Sequence, residues 1–395
     1  MKLSVVIPAY NEEAALPWVL ERAVAVRARF LESGTFQDVE ILVMNDGSTD
    51  STAATARRFP VRVVDNPGNL GYGATVLCGL ALTEGEVLAF LDADRTCDPA
   101  QLWDMHQTMR RDGAGLVIGS RLGPGSEMPR VRRLGNRLYA WLINFLGGHA
   151  ITDCASGMRL FTREALQALL PLPAGMDLTP AMTAKALMDE SIGVTEHPIT
   201  YRERSGRSKL NVLRDGVRFF ATILQVMVTY RPLKFFGGLG LAAVAAGLAL
   251  SWRLVALAFQ GPLPDWALYR AAAVGVLVVS GVLAVGYGLL ANVIMIQIQP
   301  IRRLRDSAFY RGLTFVARPS LLIGGGSLSA LAGVGLNGPG IWSYMRYGQV
   351  SSPWTIILLG AFLVLLGIIG ITLGCALSMT RLIAATIKQK IVDRL

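Results

Sequence analysis

The chain is 395 residues long, 52% hydrophobic, only 17% charged, and carries a formal net charge of +10. Soluble domains are roughly 25% charged, so a wholly soluble chain is excluded, and the apolar content excludes disorder. Beyond Pro232 there are thirteen Lys and Arg against three Asp, and the first 232 residues balance at 25 of each sign. A surplus confined to the most apolar stretch argues against a nucleic-acid binder.

From the N-terminus, residues 3–7 are too short an apolar run, ending against Pro8 and Asn11, for a signal peptide. Together with 39–44, 61–64, 87–91 and 115–119 they predict buried strands. Amphipathic stretches at 16–31, 51–59, 74–82 and 99–110 predict helices between them. The alternation predicts a parallel sheet with helices on both faces, and ligands then bind at the carboxyl ends of the strands. Each predicted strand runs into polar or Gly-rich chain: Pro8-Ala9-Tyr10-Asn11-Glu12, Asn45-Asp46-Gly47-Ser48, Asn69-Leu70-Gly71-Tyr72-Gly73, Asp92-Ala93-Asp94 and Gly119-Ser120-Arg121.

Asp92 and Asp94 carry the most chemistry. Side chains two apart in extended chain share one side, and two carboxylates there repel unless a cation lies between them. Hard oxygen ligands suit Mg²⁺ or Mn²⁺, which also bridges a diphosphate. The bland alternative is a pair of turn acids; Asp98-Pro99, by contrast, reads as an ordinary helix start. Gly71 before a helix suits either a phosphate cradle or a tight turn. His106, His149 and His197 have no ligand or base spacing, and Cys78, Cys97, Cys154 and Cys375 form no CxxC pair and no zinc spacing, so the thiols read as reduced.

Arg130, Arg132, Arg133 and Arg137 open an apolar helical stretch at 134–146 that faces lipid headgroups and an acceptor or packs as core. Arg202, Arg204, Arg207, Lys209 and Arg214 follow, ahead of an amphipathic stretch ending near Met227 that lies in a membrane interface or packs on the globular part. Four apolar runs then predict spans at 235–259, 270–297, 319–336 and 354–380. Lys and Arg flanking these runs number ten on one side and three on the other. The positive-inside rule puts the globular part, the arginine-rich 299–318 connection and the C-terminus in the cytoplasm, with 261–266 and 337–353 outside. Gly370 and Gly374 form a GxxxG pair, a candidate helix–helix or homo-oligomer face.

Taken together, Ser4-Val5-Val6-Ile7-Pro8-Ala9-Tyr10-Asn11-Glu12-Glu13, Asn45-Asp46-Gly47-Ser48-Thr49-Asp50, Asn69-Leu70-Gly71-Tyr72-Gly73-Ala74 and Leu91-Asp92-Ala93-Asp94 resemble the family-2 nucleotide-sugar glycosyltransferases. Asp153-x-x-Ser156-Gly157-Met158-Arg159-Leu160-Phe161 and the run from Tyr201 to Leu210 resemble their polyprenyl-phosphate branch, the dolichol-phosphate mannose synthases and bacterial undecaprenyl-phosphate relatives. The resemblance covers residues 1–230. It implies an α/β GT-A catalytic domain, Rossmann-like with a mostly parallel sheet, over 1–210. A juxtamembrane amphipathic helix follows over 211–233, then an all-α transmembrane domain of about four helices over 234–395.

By position, the resemblance implies that Pro8, Ala9, Tyr10, Glu12, Asn45, Asp46, Gly71 and Asp92 bind the nucleotide sugar, UDP- or GDP-linked. Asp92 and Asp94 hold Mg²⁺ or Mn²⁺. Asp153 lies near the reacting sugar and, with Asp94 and Arg121, is catalytic. Arg121, Arg204, Ser208 and Lys209 meet the acceptor phosphate, and Arg133 of the basic cluster is expected to join them. Two positions depart from the family pattern: Asn45 stands where an aspartate is usual, and Thr96 where a metal-binding glutamine is usual, so a water is expected at that metal position. Arg95 should point at phosphate or away from the cation. The implied reaction is metal-dependent transfer of a sugar to a polyprenyl phosphate, and one carboxylate pair with no obvious second nucleophile makes a single, inverting displacement the expectation. The alternative is another membrane glycosyltransferase acting on a non-phosphate lipid or a growing polysaccharide; those carry Gln-x-x-Arg-Trp, and no Arg-Trp pair occurs here.

Overall fold

A computed structural model describes residues 1–123, 126–147, 150–189, 191–202, 212–259, 263–298 and 318–392. The chain divides into two units, Met1–Val226 and Met227–Leu395.

The first unit is built on a seven-stranded sheet: β1 Lys2–Ala9, β2 Asp38–Asn45, β3 Arg62–Asp65, β4 Val87–Phe90, β5 Leu116–Ser120, β6 Arg159–Thr162 and β7 Val194–Pro198, in the order β3-β2-β1-β4-β6-β5-β7. The four strands β1 to β4 are parallel, as expected from their alternation with helices. Only β6 runs antiparallel, between β4 and β5. The expected strands β1 to β5 form; β6 and β7 were not foreseen. β6 is four residues long and sits inside a motif read for its chemistry, and β7 is polar at Glu196 and His197, so neither shows an apolar run.

Helices α1 Leu16–Glu32, α2 Thr52–Ala56, α3 Tyr72–Ala81, α4 Leu102–Asp112, α5 Arg130–Gly147, α6 Arg163–Leu169 and α7 Leu178–Met188 pack around the sheet. The layering follows from the period of two in each strand: Leu3, Val5 and Ile7 belong to one fully buried cluster, and Val6 belongs to the other. Fully burying a side chain such as Ile7 stabilises by about 1.5–3 kcal/mol. Asp98 accepts from Ala100 N–H at 3.0 Å and starts the short turn ahead of α4, the capping role expected of it.

Helix α8, Val212–Tyr230, begins in the first unit. It packs there through Phe219, which meets Tyr139 edge-on at 6.2 Å, and through Thr222, whose hydroxyl donates to Asp177 at 2.7 Å. Val217 and Phe220 stay exposed.

The second unit holds α9 Pro232–Ala258, α10 Ala267–Ile298, α11 Pro319–Tyr347 and α12 Trp354–Val392, all four long and apolar enough to cross a membrane. α11 runs on past the predicted span end at 336, so 337–347, expected as loop, is helical and carries Pro339 within it. Small residues set the packing. A Cβ on Gly240 would lie 2.5 Å from Gly281 O, and one on Gly333 would lie 2.5 Å from Gly360 O. Gly370 and Gly374 are used in the same way inside the subunit, against Gly326 and Leu322 and against Ile323 and Pro319. The GxxxG pair therefore closes a helix pair within this chain, the helix–helix use expected of it.

Candidate active site

A cavity of about 630 Å³ opens in the first unit at the carboxyl edge of the sheet. The strand order reverses between β1 and β4, which makes that edge the topological switch point where α/β sheets bind ligands. From the strand ends come Pro8, Ala9, Tyr10, Glu12, Asp46, Gly71, Asp92, Asp94 and Arg121. From α5 and α8 come Arg132, Asn136, Tyr139, Arg218 and Phe219.

The strand-end loops are tied together before any ligand arrives. Asp46 accepts from Leu70 N–H at 2.8 Å, Gly71 N–H at 3.0 Å and the Asn66 amide at 2.9 Å. Its carboxylate thus holds the Asn69–Gly71 turn against the cavity. Gly71 has φ +89°, a conformation that favours glycine, so the tight-turn reading applies to it along with its place in the cavity wall. Asn45 does not line the cavity: its amide donates to Asp65 at 2.9 Å and its oxygen accepts from Ser48 N–H at 3.2 Å. An aspartate there would oppose a second carboxylate, which accounts for asparagine at this position.

Asp92 and Asp94 follow β4 into the same cavity. Gly157 packs so closely on Asp92 that a Cβ would fall 2.1 Å from Oδ2. The buried hydroxyl of Tyr72 faces Asp92; burial first, then the Asp92 charge, hold it well above the usual phenol range. Thr96 donates both its N–H (3.1 Å) and its hydroxyl (2.6 Å) to Asp94 Oδ1. Thr96 thus orients Asp94, and its hydroxyl is engaged in that bond. Arg95, at φ +66°, turns its guanidinium over the Trp18 ring at 5.2 Å, away from the acids. Among the described residues no group of three or more His, Cys, Asp or Glu could hold a metal. Two carboxylates with the remaining positions left to phosphate and water is the donor set that Mg²⁺ tolerates, so the residues fit such an ion.

Arg121 and Asp153 form a buried ion pair. Asp153 is fully buried and accepts from Arg121 N–H at 3.0 Å, Nε at 2.7 Å and a terminal guanidinium nitrogen at 2.8 Å. Asn136 and Ala155 N–H add bonds at 2.9 and 3.2 Å. Burial works against both charges, but each partner outweighs it: Arg121 is raised above, and Asp153 lowered below, its usual range. Arg121 keeps other N–H donors for an anion in the cavity it lines. Asp153 lies behind it, outside the cavity lining, with its oxygens spent. The acid expected beside the sugar is thus paired with Arg121.

Arg133 likewise turns away from the cavity, donating to Ser126 O at 2.9 Å. Arg132 takes the cavity-lining position because it shares a helical face with Asn136 and Tyr139 at i+4 and i+7. That register was readable in the sequence and was missed. Arg218 was missed because its helix was read for its apolar face. Arg204, Ser208 and Lys209 lie outside the described residues.

Residues 4–170 match the model of glycosyl transferase family 2. The chain is 31% identical over 257 residues to the low-salt glycan biosynthesis hexosyltransferase Agl6 of Haloferax volcanii, covering 63% of this chain and 59% of that protein. It thus spans about three-fifths of that relative's length. It is 32% identical over 238 residues to the dolichyl-phosphate hexose transferase of the same organism, covering 58% of this chain and 95% of the relative. Among solved structures it is similar to glucosyl-3-phosphoglycerate synthase of Mycobacterium tuberculosis, crystallised with Mn²⁺, UDP and phosphoglyceric acid, at 24% identity and a TM-score of 0.46 over 57% of this chain and 78% of that one.

Proposed function

The chain belongs to glycosyl transferase family 2, and from that premise we propose that it moves a sugar from a UDP- or GDP-linked donor to a polyprenyl phosphate at the cytoplasmic membrane face. The observation that carries this reading is the single cavity joining Asp92, Asp94 and Arg121 to Arg132, Tyr139, Arg218 and Phe219. A carboxylate pair and an arginine suit a metal-bound diphosphate; cations beside aromatic groups suit a phosphate with an apolar tail. The relative named a dolichyl-phosphate hexose transferase supports that acceptor class.

The chemistry needs no strong base. A phosphate monoester is already an anion near neutral pH, and its oxygen forms a bond to the anomeric carbon as the bond to the nucleoside diphosphate breaks. The leaving group keeps the electron pair, and no proton must move. One in-line displacement inverts the anomeric centre. A saturated Asp153 is compatible with this scheme, which asks for positioning and charge control. Arg121, expected from the sequence at the acceptor phosphate, would instead bind the donor diphosphate, because it comes from the same strand-end wall as Asp92 and Asp94, and Arg132 and Arg218 of the helical wall would bind the acceptor phosphate. Asp92 and Asp94 would hold Mg²⁺ or Mn²⁺, which when bound neutralises charge on the leaving diphosphate.

The membrane reading rests on the four long apolar helices and on α5. Asn136, Ala140 and Ile143 are buried, whereas Val131, Leu134, Leu138, Trp141 and Phe145 form an exposed stripe at spacings of three and four. Arg130 and Arg137, also exposed, lie beside it. Such a face suits the boundary of anionic headgroups and acyl chains. An even number of spans and the charge bias of their flanks support a cytoplasmic location for the first unit and for the C-terminal end of α12.

The test is transfer of labelled sugar from a panel of UDP- and GDP-sugars to undecaprenyl or dolichyl phosphate by the purified chain in detergent. The product should show inverted anomeric configuration by NMR. Asp94→Asn should lower the rate by about 10³-fold or more, the scale of lost electrostatic stabilisation at a reacting centre. Full activity in that variant refutes the metal-site assignment, and a retained configuration refutes single displacement.

A further inference from the structure

Residues 150–158 cross the carboxyl edge of the sheet without regular secondary structure. Their backbone N–H groups have no strand ladder to satisfy them, and buried ones must find partners elsewhere. Glu196 on β7 supplies them. Both of its carboxylate oxygens accept from Thr152 N–H at 2.9 Å, Oε1 accepts from Asp153 N–H at 2.7 Å, and Oε2 accepts from the Thr152 hydroxyl at 2.9 Å. The two residues so gripped reach the site directly. The Thr152 hydroxyl pairs with that of Ser120 at 2.8 Å, and the Asp153 carboxylate binds Arg121 three times. β7 runs parallel to β5 with Glu196 opposite Ile118, three residues before Arg121. Glu196 itself lines a neighbouring cavity with Arg137 and Trp141 and not the one holding Asp92 and Asp94. Anything it does for donor binding passes through the residues it holds.

We propose that Glu196 is a positioning residue for the donor diphosphate: by fixing the backbone at Thr152 and Asp153 it fixes the Asp153 carboxylate, and with it the aim of Arg121. This rests on the proposed function, since it takes Arg121 as a phosphate ligand. The geometry makes the dependence sharp. Asp153 has no freedom to re-aim, because five donors already fix its oxygens. A shift of its backbone moves the guanidinium with it.

The experiment is a double-mutant cycle read by calorimetric binding of UDP and of GDP, each with Mg²⁺ or Mn²⁺, to the full chain in detergent. Glu196→Ala should weaken the preferred nucleotide about tenfold, the effect expected of losing charge-assisted hydrogen bonds. Glu196→Gln should weaken it less, since its amide oxygen still accepts. Arg121→Gln should weaken binding at least as much as Glu196→Ala. In the Glu196→Ala/Arg121→Gln double variant the loss should equal that of Arg121→Gln alone, because residues acting through one contact are non-additive. Wild-type affinity in both Glu196 variants overturns the proposal. So do losses that add in the double variant, which would mark Glu196 as general support for the fold. If the Ala variant lacks a thermal transition, the isosteric Gln variant carries the cycle. A wild-type chain that binds neither nucleotide overturns the parent reading and this one with it.

Discussion

The two walls of the cavity are made differently. The strand-end wall is held by side chains bonded to backbone: Asp46 to Leu70 and Gly71, Asn11 to Thr49, Glu13 to Ser51, Asp50 to Thr52 and Asp94 to Thr96. The helical wall of α5 and α8 carries, among the described residues, the bonds of Tyr139 to Gly216 O and of Asn136 to the Asp153 carboxylate, and leaves large apolar groups exposed nearby. A wall whose polar groups are fixed in advance loses little on receiving a small charged ligand. A wall of helices and apolar side chains adapts to a long flexible one. The contrast matches a nucleotide diphosphate on one side and a lipid phosphate on the other.

The sharpest way to break this comparison is to add one methyl group to each wall. Gly157→Ala would drive a Cβ to within 2.1 Å of Asp92 Oδ2, where the carboxylate must move. Displacing a reacting group by about 1 Å costs on the order of 10²-fold, so transfer should fall by at least that much, with a weakened dependence on Mn²⁺. Gly135→Ala on the helical wall meets only Tyr139 Cε2 at 3.9 Å. That variant should stay within about twofold of wild type, with up to ~1 kcal/mol of added helix stability. Equal losses in the two variants would dissolve the distinction between the walls.

A smaller effect sharpens the helical wall. Arg132 lines the cavity and Arg133 is bonded to Ser126 O. Arg132→Gln should raise the KM for polyprenyl phosphate about tenfold, the scale of one charge-assisted hydrogen bond to phosphate, with the donor KM unchanged. Arg133→Gln should change the acceptor KM by less. The reverse order in steady-state assays would restore Arg133 to the acceptor site.

What the sequence disclosed follows the same division. The strand-end wall was legible because its motifs lie within a few residues of apolar strands, and the strand pattern itself says where they converge. Pro8, Ala9, Tyr10, Glu12, Asp46, Gly71, Asp92, Asp94 and Arg121 line one cavity as that pattern implies. Asn45 was misplaced because one residue at a strand end alternates the face, and its neighbour Asp46 took the inward side. The Asp153 network was legible only as a motif. Its meaning depends on Glu196, 43 residues further on in a strand without an apolar signature. On the helical wall the choice between Arg132 and Arg133 turns on a rotation of about 100° per residue, the angle set by 3.6 residues per turn. Composition cannot decide that, but the positions of Asn136 and Tyr139 could have.

The histidines give the mildest test, one that separates the core from both walls. His106 is 1% exposed and packed against Phe30 and Phe36, with ring centroids at 5.8 and 4.8 Å. Burial first, then Arg110, lower its pKa below the usual 6.5. His197, whose Nδ1 pairs with the Thr108 hydroxyl at 2.9 Å, is lowered mainly by burial as well. For a base with a depressed folded-state pKa, the unfolded chain takes up the proton first as pH falls. The contribution is therefore complete above about pH 6.5 and is lost as pH drops from there toward the folded-state value. The melting temperature of the wild-type chain in detergent should fall by about 2–4 °C between pH 7.5 and 5.5, the shift that a small stability change produces in a domain of this size. His106→Phe, which suits the aromatic cage and cannot charge, should flatten that slope while leaving nucleotide affinity unchanged. An unaltered slope would assign the acid sensitivity to His197, and a change in nucleotide affinity would contradict the separation of this cluster from the cavity.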